Sequence, residues 1–171
     1  MGNPKKKFSK IYDKYIDGIY RFIFLKVSSA EIAEDLTSET FLRGWKAFQA
    51  DQSKIENHQA FLYQIARNLI VDFYRDKNKA QIISTEYVQI EDPGLGLEEN
   101  AKLGSDMKMI HQALSNLKDD YQNVIVWRYL DDLPVREVSK LLGKSQEATR
   151  TTLHRALKAL RGRINQDIRL V

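Results

Sequence analysis

Gln146, Arg150, Thr151, His154, Arg155, Lys158 and Arg161 recur at helical spacing near the C-terminal end and carry the clearest chemical signal in the chain. Hydrogen-bonding side chains followed by cations on one helix face suit a nucleic acid, with the first residues at base edges and the later Arg and Lys at phosphates. The other face, Thr149, Leu153, Ala156, Leu157, Leu160 and Ile164, is suited to burial. Upstream, Val135, Val138, Leu141 and Leu142 predict a short amphipathic helix. Gly143 suits a left-handed stop and Ser145 suits the cap of the next helix. Two helices across a glycine turn, with the small Ser139 leaving room for the second, predict a helix-turn-helix. The competing reading is an ordinary helical hairpin with a solvated basic face.

Catalytic groupings are not apparent. His58, His111 and His154 are scattered, and the carboxylate pairs Glu98-Glu99, Asp119-Asp120 and Asp131-Asp132 are adjacent in sequence, so they do not face each other on a helix. With no phosphate-binding glycine loop, metal pair or nucleophile elbow, we expect no enzyme activity, no cofactor, no metal and no small-molecule substrate. The chain has no cysteine, which excludes disulfides and thiolate metal sites and agrees with a cytoplasmic location. Ile19–Val27 is too short for a membrane span and carries Arg21 and Lys26, and no apolar run follows the N-terminal lysines as in a signal peptide. The formal charge of +4 is unevenly spread. Residues 140–171 hold eight basic side chains against Glu147 and Asp167, whereas residues 81–106 hold six acidic ones against Lys102. A basic end beside an acidic connector implies a nucleic-acid contact and a separate solvated or interaction segment.

The elements that must position these residues are helical throughout. Residues 1–7 read as a loose basic tail. Ile11, Tyr15, Ile19, Phe22 and Ile23, widened by Tyr12, Ile16 and Tyr20, predict a helix from Phe8 to Val27 packed on more than one neighbour. Ser29 is a candidate cap for a second helix, Ala30 to Phe48, whose core side is Ile32, Leu36, Phe41, Leu42, Trp45 and Phe48. Glu31, Glu34, Asp35 and Glu39 crowd its other side, either as dipole-stabilising charges or as an acidic docking surface. After a polar loop, 50–57, a third helix is predicted from His58 to Asn78, with Phe61, Leu62, Ile65, Ala66, Leu69, Ile70 and Phe73 buried. Its other face offers Gln64, Arg67, Asn68, Asp72, Arg75 and Lys79, with Tyr74 nearby, a mixture suited to single-stranded nucleic acid. The plainer account of Asp72 with Arg75 or Arg67 is a surface ion pair. Residues 79–106, punctuated by Pro93, Gly94, Gly96 and Gly104, read as a linker whose extended reach is about 90 Å. That exceeds two turns of DNA, about 70 Å. About four helices follow from Met107, one of them capped by Asp119 or Asp120, with Pro134 in the first turn of the next. Ile164–Val171 reads as a frayed tail. The expected fold is therefore all-α: two small helical domains, residues 8–78 and 107–164, joined by a flexible acidic linker, the second containing the helix-turn-helix.

Three segments then resemble a known family. Ala33-Glu34-Asp35-Leu36-Thr37-Ser38-Glu39-Thr40-Phe41-Leu42-Arg43-Gly44-Trp45 resembles region 2.2 of bacterial sigma factors. Residues 61–75, Phe-Leu-Tyr-Gln-Ile-Ala-Arg-Asn-Leu-Ile-Val-Asp-Phe-Tyr-Arg, resemble regions 2.3 and 2.4. Ala113–Leu117, Arg128-Tyr129-Leu130 and Leu153–Arg161 resemble region 4. Two domains alone match the extracytoplasmic-function (ECF) group. The resemblance implies core RNA polymerase as partner, with Asp35, Ser38 and Glu39 on the β′ clamp helices and further contact at the β flap. It implies promoter DNA as the second partner. Asn57, Arg67, Asn68, Asp72, Tyr74 and Arg75 would hold the opened −10 element, with a flipped base in loop 50–57. Ser145, Gln146, Arg150, Thr151, His154, Arg155 and Lys158 would meet the −35 element. It also implies that the acidic linker threads the RNA channel, and that an anti-sigma factor is a candidate partner. Ser38 stands where many members have Gln, which implies one docking hydrogen bond fewer on the polymerase; Thr152 stands where Arg is usual and Glu147 adds a negative charge near the groove, which together imply a weaker or differently specific −35 contact. The rival functions are a helix-turn-helix regulator that binds duplex DNA alone, and a sigma-like adaptor recruited by another complex.

Overall fold

The computed structural model describes residues 2–83 and 105–169, and side chains over 2–78 and 109–166. The chain divides into two compact units, Met1–Gly96 and Leu97–Val171, and every described element is helical. Most of the linker expected at 79–106 lies outside the described residues.

The first unit is a three-helix bundle of α1 (Pro4–Val27), α2 (Ala30–Ala50) and α3 (His58–Ile83), each packed on the other two. Ile19, Phe22, Ile23, Ala33, Phe41, Phe48, Leu62, Tyr63 and Ala66 are buried at its centre. Phe22 and Tyr63 meet edge to face at 5.2 Å. The caps behave as local chemistry dictates: Ser28 takes a left-handed conformation at the end of α1, and the Ser29 hydroxyl accepts the Ile32 N–H.

Two expectations are corrected in this unit. Residues 4–7 are helical rather than a loose tail, because the Asn3 side chain accepts the Lys5 N–H at 3.0 Å and Pro4 occupies the first helical position. Leu42, expected in the core, is 47% exposed. Thr37, Thr40 and Gly44 take the buried side of α2 in its place. The two hydroxyls can be buried there because each donates to the carbonyl four residues back, Ala33 and Leu36.

Gly44 lets α2 approach α3 closely. A Cβ built there would lie 2.9 Å from Leu62 Cδ2 and 3.6 Å from the Phe8 ring. Leu62 is itself buried and has little room to move. Gly44→Leu is therefore expected to destabilise the bundle by about 1–3 kcal/mol, the usual cost of overpacking a close-packed core. Chemical denaturation followed by far-UV circular dichroism measures it, and an unchanged midpoint would contradict the packing described here.

The second unit comprises α4 (Ser105–Ser115), α5 (Asp119–Ile125), a π-helical turn (Val126–Leu130), α6 (Val135–Leu142) and α7 (Gln146–Arg169). Its core is Ala113, Val124, Val126, Trp127, Leu133, Val138 and Ala156, with Trp127 fully enclosed. The extra residue of the π turn shows in the Asp131 N–H bonding back to the Val126 carbonyl at 3.0 Å. The Leu133 N–H then bonds to the Trp127 carbonyl at 2.8 Å, and Asp132 sits at φ 55°, a left-handed position that Asp tolerates.

Further corrections are local. Neither Asp119 nor Asp120 caps α5; Lys118 holds that position without a side-chain bond, and the two carboxylates lie in the first turn, where the dipole favours them. Pro134 precedes α6 as its cap residue, one position before the place expected. Residues 79–83 continue α3, residues 105–106 begin α4, and α7 runs on to Arg169 instead of fraying at Ile164. The regular apolar spacing lapses at these ends, but a helix can run on through turns that carry no continuous apolar stripe. No helix among the described residues is long and apolar enough to cross a membrane.

Candidate nucleic-acid interface

The geometry of the second unit is set by the turn between α6 and α7. Gly143 adopts φ 66°, its N–H bonds to the Lys140 carbonyl at 3.2 Å, and the Lys144 N–H bonds to the Ser139 carbonyl at 3.1 Å. This pair of bonds is a Schellman ending, which closes α6 and lets the chain reverse direction within two residues. Ser145 then caps α7, its hydroxyl accepting the Ala148 N–H at 3.1 Å. Lys144 reaches back to Asp120 at 3.2 Å and ties the turn to the start of α5.

On α7, Thr149, Thr152, Leu153 and Ala156 face inward. Gln146, Arg150, Thr151, His154, Arg155, Lys158 and Arg161 are all exposed on the outer side, as is Ser145 ahead of them. Arg150, Arg155, Lys158 and Arg161 take no ion pair among the described residues, so their charges are available to an outside anion. The burial of Thr152, whose hydroxyl donates to the Ala148 carbonyl, removes that position from the outer face. Glu147 is exposed in the first turn, as expected. His111, on α4, is desolvated by burial, which lowers its pKa and keeps it neutral near pH 7.

In the first unit, α3 presents Gln64, Arg67, Asn68, Asp72 and Arg75 along one side. Gln64 bonds to Asn68 at 3.3 Å, and Arg75 pairs with Asp72 at 3.5 Å. Both members of that pair are more than half exposed, so it adds little stability and is easily exchanged for an external partner. Val71 lies amid these polar groups and is 50% exposed, an apolar contact that the sequence reading passed over because a lone Val in a polar stripe carries no periodic signal.

Tyr74, 38% exposed and seven residues from Arg67 on α3, and Asn57 are each held by a bond of their own. The Tyr74 hydroxyl donates to the Lys26 carbonyl on α1, which holds the ring at the end of the bundle. Asn57 caps α3, its side-chain oxygen accepting the Ala60 N–H at 2.9 Å. The segment between α2 and α3 contains a short 3-10 turn, Gln52–Lys54, with Asp51 accepting the Ser53 N–H. On α2, Glu31, Asp35, Ser38 and Leu42 form an exposed row, and Glu39 beside it pairs with Arg43 at 2.8 Å. The structure thus brings Asp35, Ser38 and Glu39 onto one surface and adds Leu42 to it.

Comparisons with known proteins bear on both units. The model of sigma-70 region 2 matches residues 11–80, and that of sigma-70 region 4 matches residues 107–160. The chain is 32% identical over 165 residues to the ECF RNA polymerase sigma factor SigW of Bacillus subtilis, covering 90% of this chain and 87% of that protein. It is 29% identical over 163 residues to the ECF RNA polymerase sigma factor BldN of Streptomyces coelicolor, covering 95% of this chain but only 62% of BldN. Among solved structures, the sigma factor RpoE of Bartonella quintana, in complex with the anti-sigma factor NepR, superposes with a TM-score of 0.74 at 19% identity, over 94% of this chain and 98% of that one. CnrH in complex with the cytosolic domain of CnrY gives 0.72 at 17% identity, over 97% and 92%. At such identities these two structures speak to the fold alone.

Proposed function

Because the chain belongs to the ECF group of the sigma-70 family and is a promoter-recognition sigma factor for RNA polymerase, we propose a division of labour between its two units. The row Asp35, Ser38 and Glu39, extended by Leu42, docks on the β′ clamp helices. The outer side of α3, with Arg67, Asn68, Asp72 and Arg75, holds the non-template strand of the −10 element, and loop 51–57 receives a base turned out of the stack. Asn57 and Tyr74 support this face as cap and anchor. Extruding a base costs a few kcal/mol of stacking, so the strand needs a surface ready to receive it. The helix α7 enters the major groove at the −35 element, with Arg150 in position to fork onto a guanine. The second unit also meets the β flap, and catalysis belongs to the polymerase.

One observation carries this reading: four cations on the outer side of α7, none ion-paired within the described protein, follow directly on a turn closed by a Schellman ending and a serine cap. Such a face on a rigid turn is suited to phosphates flanking a read base step. An anti-sigma partner belongs to the same proposal, since RpoE and CnrH, which share the fold, are each held by a protein partner.

The test mixes the purified chain with core polymerase and a promoter template. Co-purification with core and initiation at a defined site is the expected result; tight duplex binding without core would favour a self-standing helix-turn-helix regulator. Asp35→Lys is expected to weaken core binding about tenfold or more, which corresponds to about 1.4 kcal/mol. Asp35 is exposed, so the fold should survive. Undiminished affinity for core would remove α2 from the docking surface.

A further inference from the structure

We propose that the first two turns of α1, through Lys5, Lys6, Lys7 and Lys10, grip the phosphates of the opened strand beside the base taken by loop 51–57. This rests on the −10 reading above and extends it to residues outside α3. Three observations carry it.

The first is charge. The opening turn of α1 has no acidic residue, and Lys5, Lys6 and Lys7 follow the cap directly. Positive side chains at the positive end of a helix dipole are disfavoured in isolation. None of the four lysines has an ion-pair partner among the described residues, and all are exposed. Their helical order also matters, because α1 holds these charges at fixed positions around its first two turns, about 100° apart for neighbours, whereas a loose tail would let them wander. Asp13 and Asp17 further along the helix bound the patch.

The second is position. The Phe8 ring lies 5.5 Å from Phe48, and Phe48 lies 5.7 Å from His58. The start of α1, the end of α2 and the start of α3 therefore share one end of the bundle, and loop 51–57 joins the last two there. The lysines consequently stand at the end where the turned-out base is received.

The third is shape. An open cleft of about 400 Å³, lined by Lys5, Phe8, Ser9, Tyr12 and Trp45, adjoins the patch at Lys5, the one of the four lysines that lines it. Tyr12 is 41% exposed and is steadied edge to face against Phe41 at 4.8 Å. Cations beside an accessible aromatic surface are what an unpaired strand requires, since its bases stack while its phosphates pair. A duplex offers the charge but keeps its base faces covered.

The experiment uses the chain bound to core polymerase and a fluorescein-labelled oligonucleotide carrying the non-template strand of the −10 element and the bases downstream. The same sequence as a closed duplex is the second arm. Binding is measured across a salt series for the native protein, for K5Q/K6Q/K7Q/K10Q, and for the all-arginine counterpart. Each lost single-strand phosphate contact lowers the salt slope by about 0.7, so the glutamine variant is expected to lose about 2–3 units of slope on the single strand, and arginine to restore them. Core affinity should be unchanged. An unaltered slope overturns the proposal, as does an equal loss in the duplex arm, which would mark a general duplex contact. If the native holoenzyme itself ignores the single strand, the −10 reading fails and this inference with it; a native protein that binds while the variant matches it sinks this inference alone.

Discussion

Arg150→Ala is expected to relax specificity at one base pair of the −35 element, with a loss of about 1–3 kcal/mol in discrimination there and little change elsewhere. Arg150 is exposed near the start of α7 and takes no ion pair among the described residues. That is where a recognition helix approaches base edges, because Ser145 caps it and the turn at Gly143 aims it. Lys158, two turns further on, should behave differently: Lys158→Ala is expected to weaken binding to all sequences alike and to lower the salt slope by about one. Holoenzyme binding to a panel of duplexes, each altered at one −35 position, separates the two patterns. A flat profile for Arg150→Ala, parallel to that of Lys158→Ala, would reassign Arg150 to a phosphate.

Trp127→Ala should have the largest effect on stability, about 3–5 kcal/mol, the typical cost of emptying a large aromatic site in a core. Its side chain is fully enclosed, and its carbonyl accepts the Leu133 N–H that shapes the turn into α6. A small domain has only about 5–15 kcal/mol to lose, so the second unit should be largely destabilised. The readout is a split one. The helix content that the second unit contributes to far-UV circular dichroism and −35 duplex binding should be lost together, while docking on core through α2 persists, since α2 belongs to the other unit. Trp127→Phe, which retains most of the apolar volume, should lose far less. The β-flap share of core affinity should go with the second unit, but complete loss of core binding with Trp127→Ala would show that the units do not act separately.

Much of this was legible in the residues themselves. Ser29, Gly143 and Ser145 behave as cap and stop residues usually do, and the outer side of α7 carries the residues its spacing assigned to it. The start of α1 was legible too, since Asn3-Pro4 is a cap followed by a first-turn proline, but the lysines behind it masked the signal. Leu42 was not legible. Its hydrophobicity matched a core position, and only the docking of α2 between two neighbours left it outside while Thr37, Thr40 and Gly44 went in. Val71 was missed for the converse reason, an apolar side chain isolated in a polar row.

Sequence alone determined that the chain is helical, where its turn reverses, and which face of α7 is cationic, because capping and periodicity act over a few residues. Tertiary packing decided which part of a wide apolar stripe is buried, that Tyr74 and Asn57 are tied into the bundle, and that the lysines of α1 share an end with loop 51–57. Those outcomes depend on residues far apart in the chain meeting in space, and no local spacing rule contains that information.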